Sequence, residues 1–228
     1  MVAILLGVGL QSCDREDNNG DNNGGNNGGN SSVVWVDLGL PSGLLWADRN
    51  VGANNPEDYG NYYAWGETVP KNVYDWSTYA YGNAYNELTK YCNKASCGFN
   101  GFTDNLTTLQ ASDDAATANL GGGSSTPTKN DWEELIDHTT STWITRNGVN
   151  GRLLTGSNGQ SLFLPAAGYR IGSDLDGVGE IGFYWSSTLN TDYPGNAWLF
   201  GFDSDDQIMD NDYRDYGFSV RAVRASQH

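Results

Sequence analysis

Apolar side chains recur along this chain at two spacings, and the change of spacing marks the elements. In "VVWVDLGLPSGLLWADRNVG", Val34, Val36 and Leu38 fall on alternate positions, a Pro-Ser-Gly turn follows, and the chain returns through Trp46. That pattern predicts a β-hairpin. In "TPTKNDWEELIDH" the spacing becomes helical: Trp132, Leu135 and Ile136 share a face, Thr128 stands at the N-cap, and Asp131 three residues on is a weak capping-box partner. A shorter helix is predicted in "DDAATANL", residues 113 to 120, whose two Asp lie at its dipole-positive end. Beyond the second helix, Asn147-Gly148 and Asn158-Gly159 predict tight turns in a β-meander. Four further strands are predicted in "GFYWSST", "NAWLFGFD", "DQIM" and "GFSVRAVR", the last with Phe218, Val220 and Ala222 alternating with Ser219, Arg221 and Val223. Short strands and hairpins with two helices make an α+β domain from Val33 onward. Trp35, Trp46, Trp185 and Trp198 fall in strand patterns and are assigned to the core.

The chain ahead of that domain is of another kind. Residues 1 to 13 place an apolar run, Val2 to Leu10, before Leu10-Gln11-Ser12-Cys13. The run is too short to span a bilayer and is expected to be a signal peptide. Its end resembles a bacterial lipobox, which implies acylation of Cys13; it departs from that pattern in lacking a basic n-region. Asp14, Glu16 and Asp17 resemble the surface-export signals of Bacteroidetes lipoproteins. Residues 14 to 32 include "NNGDNNGGNNGGN", with no side chain to offset the entropy of ordering, and are expected to be a disordered tether. From Cys13 to Val33 its reach is roughly 25 Å.

Composition narrows the chemistry. A formal charge of −16 with only twelve Lys and Arg argues against nucleic acid and anionic membrane surfaces, leaving a lipid anchor as the expected membrane contact. Two histidines, one of them terminal, nearly exclude His triads and multi-His metal sites. Once Cys13 is lipidated, Cys92 and Cys97 remain in "YCNKASCGF". A small-loop disulfide is the expectation in an oxidising envelope, with a redox or metal pair as the alternative.

Several strings carry a resemblance: "VDLGLPSGLLWADRNVGA", "YGNYYAWGET", "LTKYC", "DDAATANLGG", "PTKNDWEELI", "NGVNGRLLTGSNGQSLFLPAAGYR", "YWSST" and "GFSVRAVR". Together, from about Val33 to Arg224, they resemble the Fibrobacter succinogenes major paralogous domain, a family common in Bacteroidetes lipoproteins. The resemblance implies a C-type lectin-like fold in the variant shared with formylglycine-generating enzymes. Ser124, Ser125 and Thr126 stand where relatives carry Trp, Arg and Met. The enzymatic relatives oxidise a substrate cysteine with a C-terminal Cys pair, which this chain does not have there. The resemblance therefore implies a scaffold, with no catalytic residue carried over.

Six of the seven residues from Asp210 to Tyr216 are Asn, Asp or Tyr. Replacing the first adenine of an Asn codon yields Asp, Tyr or His, so this is the composition that randomised adenines would produce. A varied stretch before "GFSVRAVR" also resembles the ligand-binding proteins of diversity-generating retroelements, and the candidate variable region runs from about 190 to 216. Tyr supplies rigid amphipathic area while Asp and Asn supply hydrogen bonds, the mixture of antibody loops. The candidate ligand-binding residues are Asp192, Tyr193, Leu199, Gly201, Asp203, Asp205, Asp206, Asp210, Asn211, Asp212, Tyr213, Asp215 and Tyr216, with Tyr193, Tyr213 and Tyr216 as anchors. They are expected to form one exposed face.

The functional expectation is a binding module without enzymatic activity, displayed from the outer membrane toward an unidentified protein or glycan. A carbohydrate-active enzyme using paired carboxylates, or a structural subunit of a surface appendage, are the alternatives. An ordinary polar loop would also be rich in Asn and Asp. No cofactor is expected, and calcium is the one candidate, because "DSDDQIMDND" is dense in carboxylates but lacks EF-hand spacing.

Overall fold

The computed structural model describes residues 32–226. The expected signal peptide, Cys13 and the tether as far as residue 31 lie outside the described residues. The rest is an α+β domain of short strands around two helices, as the pattern predicts.

The first hairpin pairs β1 (Trp35–Asp37) with β2 (Leu45–Asn50), and β13 (Arg221–Arg224) lies against the other side of β2. After β3 (Tyr62–Tyr63) a long irregular stretch leads to α1 (Ala115–Leu120) and α2 (Lys129–His138). Asp114 caps α1, its Oδ1 accepting from the N–H of Ala116 and Thr117. The same buried carboxylate accepts from the Thr126 N–H at 2.8 Å and the Thr126 hydroxyl at 2.6 Å. A small hydroxyl residue thus locks the cap of one helix to the approach of the next. Both halves of the capping box between Thr128 and Asp131 are formed at α2.

A meander of β4 (Thr139–Arg146), β5 (Val149–Gly156) and β6 (Ser161–Pro165) follows. At its first turn Asn147 and Gly148 both have positive φ, 50° and 83°, the backbone that the Asn-Gly pair favours in a two-residue hairpin. A small hairpin, β7 (Tyr169–Ile171) with β8 (Asp174–Asp176), comes next. The largest sheet is assembled last: β9 (Gly182–Leu189), β10 (Asn196–Phe202), β11 (Gln207–Tyr213) and β12 (Phe218–Ser219) join β3 in the order β11-β10-β9-β12-β3, with β11 at one edge. The strand expected over "GFSVRAVR" is broken in two at Val220, whose carbonyl accepts from Val51 N–H, and the halves join different sheets.

Both faces of this sheet are covered where β9 and β10 cross it. On one side Tyr184, Phe200 and Phe202 meet Trp132, Leu135 and Leu164, with the Trp132 ring stacked on Phe200 at 5.0 Å. On the other side Trp185, Ala197, Leu199 and Phe218 meet Trp65, Tyr91 and Ala116. Trp46 and Trp185 are fully inside, as expected, whereas Trp35 and Trp198 are half-buried beneath cations, Arg224 over the Trp35 ring and Lys129 over the Trp198 ring.

Candidate ligand-binding site

The stretch from 190 to 216 is folded as two paired strands. β11 runs on to Tyr213, so Asp210, Asn211, Asp212 and Tyr213, expected in a loop, stand in register with Leu199, Trp198, Ala197 and Asn196. Pairing with β10 overrides the low strand propensity of Asn and Asp. The candidate residues consequently divide three ways.

Three of them are interior. Leu199 is 2 % exposed in the core beside Phe218. Gly201 lies under Phe183, whose ring stands 3.0 Å from where a Cβ would be. Asp215 is 2 % exposed and its Oδ1 has no hydrogen-bond partner, so burial raises its pKa to about 7. One exposed face containing all thirteen is corrected by these positions: Leu199 and Gly201 are buried in the middle of β10, and Asp215 is buried beyond the end of β11.

A second group sits at the β10–β11 turn. Asp203, Asp205 and Asp206 are exposed, and the Asp203 carboxylate accepts from the N–H of Asp205 and Asp206, each at 2.8 Å, which lowers its pKa. Arg152 fixes the turn from behind through the carbonyls of Asp203 and Asp206. Among the described residues no three His, Cys, Asp or Glu side chains are placed to hold a metal ion. Along β11 itself, the N–H groups of Gln207, Asn211 and Tyr213 donate to the carboxylates of the preceding Asp206, Asp210 and Asp212. Asp212 is half-buried and its pKa is raised by burial, with Asp210 adding to the rise. Tyr216 is half-buried, edge-on to Tyr213 at 5.8 Å, its own pKa raised by burial and by Asp212 and Asp215.

The third group lies at the opposite end of β10, about 20 Å from the Asp turn by strand length. Here Asp192, Tyr193 and Tyr213 come together with Tyr85, Asn196 and Cys97 around a cleft of about 270 Å³. Tyr193 is 69 % exposed, Tyr85 55 % and Tyr213 40 %; rings so open to water, converging on one concavity, are unusual in a surface that is only supporting a fold. The loop beneath is held from several directions. Buried Asn190 accepts from the N–H of Asp192 and Tyr193, Asn93 donates to the Thr191 carbonyl, and Lys94 donates to the Asp192 carbonyl at 2.6 Å. Arg214, fully buried, donates to the carbonyls of Pro194, Tyr91 and Lys90 and to the Tyr79 hydroxyl. Its guanidinium also lies 5.0 Å from the Trp65 ring centroid.

Tyr85 and Cys97 carried no local signal, being brought in from a segment about a hundred residues upstream. Cys97 and Cys92 are free thiols, contrary to the expected bridge. The Cys92 Sγ is buried and donates to the Lys94 carbonyl at 3.1 Å, while the Cys97 Sγ lies beside Ser96 Oγ. Burial raises the Cys92 thiol pKa.

A domain of unknown function, DUF8237, has a family model that matches residues 142–223. The match begins within β4, includes both strands of the cleft and ends within β13. No curated protein and no solved structure matches the chain.

Proposed function

We propose that this chain is a surface-anchored binding lipoprotein whose C-type lectin-like scaffold presents a ligand cleft at one end of the β10–β11 pair. The observation that carries this reading is the convergence of Tyr85, Tyr193 and Tyr213 with Asp192 on a single open cleft, a combination of rigid aromatic area and one charge suited to recognition. Within the candidate variable region, exposed positions at 192, 193 and 213 alternate with buried ones at 190 and 214. Side chains can therefore vary at the rim while the support stays fixed. A hydrolase working through paired carboxylates would need both to face one cleft; Asp215, the carboxylate with the largest upward shift, lies in the interior instead.

The full chain screened against glycan and host-protein arrays is expected to give a signal that Tyr193→Ala and Tyr213→Ala each reduce at least tenfold. Asp205→Ala, at the far turn, is expected to leave it unchanged. Tyr193→Ala and Asp205→Ala should melt within about 2 °C of wild type, since exposed substitutions change stability by less than about 0.5 kcal/mol, whereas Tyr213→Ala also loses ring contacts with Trp76, Tyr85 and Tyr216 and should melt a few degrees lower. Array binding that ignores both tyrosines would remove the cleft from the proposal. The anchor is tested separately: a fatty-acid analogue fed to cells should label the chain, and Cys13→Ser should abolish the label. Equal labelling of the two would refute acylation at that residue.

A further inference from the structure

The cleft lining specifies a ligand class. Among the described residues its only ionisable group besides tyrosine and cysteine is the Asp192 carboxylate, and no Lys, Arg or His lines it. Lys94 is outside the lining, its ammonium donating to the Asp192 carbonyl. The chain as a whole carries −16. A cation is thus favoured over an anion both locally and at long range.

Hydrogen-bonding capacity then separates kinds of cation and neutral ligand. One N–H of the Asn196 amide donates to Asn211 Oδ1 at 2.9 Å, a bond that leaves its Oδ1 and second N–H uncommitted. Beside it stand one carboxylate, the tyrosine hydroxyls and the Cys97 thiol, with the Tyr85 and Tyr213 rings 6.5 Å apart at 39°. A sugar or a primary ammonium entering this cleft must exchange each of its hydrogen bonds to water for one inside the cleft, at a cost for any left unmade. A quaternary ammonium has no N–H to satisfy, and the faces of aromatic rings attract it directly. The volume, about 270 Å³, lies just below the range of drug-sized pockets, roughly 300–1,000 Å³, and suits a headgroup better than an oligosaccharide.

We infer that the Tyr85–Tyr193–Tyr213 cleft is a subsite for a quaternary ammonium group of the choline type, with Asp192 as its counter-ion. This rests on the cleft being the recognition site proposed above. The test is calorimetric titration of the full chain at constant ionic strength with choline chloride, with 3,3-dimethylbutan-1-ol as the uncharged analogue of the same shape, with methylammonium chloride and with a panel of monosaccharides. Choline is expected to bind, the uncharged analogue at least tenfold more weakly. Tyr213→Ala and Asp192→Asn should each weaken choline fivefold or more, with Asp205→Asn without effect.

Equal binding of choline and its uncharged analogue overturns the inference, as does tighter binding of methylammonium, a monosaccharide in place of choline, or no binding of choline at all. In none of those cases is the recognition proposal touched if array binding still depends on Tyr193 and Tyr213. If array binding is indifferent to the tyrosines while choline binds as described, the cleft stands as a headgroup site and the broader reading falls.

Discussion

Arg214→Ala is expected to destabilise the domain by about 3–5 kcal/mol, a fall in Tm of roughly 6–20 °C for a chain of this size. The guanidinium is fully buried and donates to four acceptors on three separate segments: Tyr79, the pair Lys90 and Tyr91, and Pro194. None of those segments is a regular strand or helix, so Arg214 replaces the ladder hydrogen bonds that regular elements would make among themselves. Truncation leaves three carbonyls and a hydroxyl without their donor, each worth about 1–3 kcal/mol if water cannot enter. It also removes the cation from over the Trp65, Tyr79 and Tyr91 rings. Arg214→Lys should recover only part of the loss, because an ammonium cannot reproduce the planar fork. Near-ultraviolet circular dichroism melts of the three proteins decide the matter, and a shift under about 2 °C for the alanine variant would show that the segments hold without the clamp.

The second expectation concerns pH. Asp215 is buried with one oxygen unpaired, and its pKa is raised from the model-peptide value of 3.8 to about 7, desolvation being the main cause. Lys71 works against the rise, while Asp75 and Asp212 add to it. A carboxyl whose folded pKa is raised holds its proton more tightly in the folded state. The contribution of Asp215 to stability is then greatest below about pH 4, declines as pH climbs from there to about 7, and is flat above. Asp215→Asn removes the buried charge while keeping the shape. It is expected to gain about 2 kcal/mol at pH 8, allowing for solvent screening, and to differ little from wild type at pH 4. Urea unfolding at pH 4, 6 and 8 measures this directly; an equal difference between the two proteins at all three pH values would mean that Asp215 does not titrate in that window.

What could be read from the chain ahead of its structure depended on how local the cause was. The Thr128–Asp131 capping box and the Asn147-Gly148 turn are set by contacts within four residues, and both form where the pattern places them. The α+β class follows from the same short-range signals. The interior position of Leu199 and Gly201 does not, since "NAWLFGF" reads the same whether one face or both are covered; only the arrival of α2 on one side and of the Trp65–Tyr91 segment on the other decides it. Asp215 was misplaced for a related reason, because a carboxyl in a run of polar residues is ordinarily exposed. Half of the cleft was legible, as Asp192, Tyr193 and Tyr213 stood out by composition. Tyr85 joins them through its packing on Gly195, where a Cβ would come within 2.8 Å of the Tyr85 Cβ, a fit between residues far apart in the chain.

The edge strand β11 bears on how this protein behaves in a crowded solution of its own copies. A bare edge offers a row of N–H and C=O groups to any other strand, which is how native sheets start to polymerise. Here three of its N–H groups, at Gln207, Asn211 and Tyr213, are already occupied by the carboxylates of Asp206, Asp210 and Asp212. The same side chains set negative charge on the rim that a second copy would have to approach. Each Asp thus blocks docking twice, once by filling a donor and once by repulsion. Replacing the three together by residues with neither charge nor acceptor would bare the edge, and the cost would appear as association at high protein concentration, with no change in the fold of a single copy.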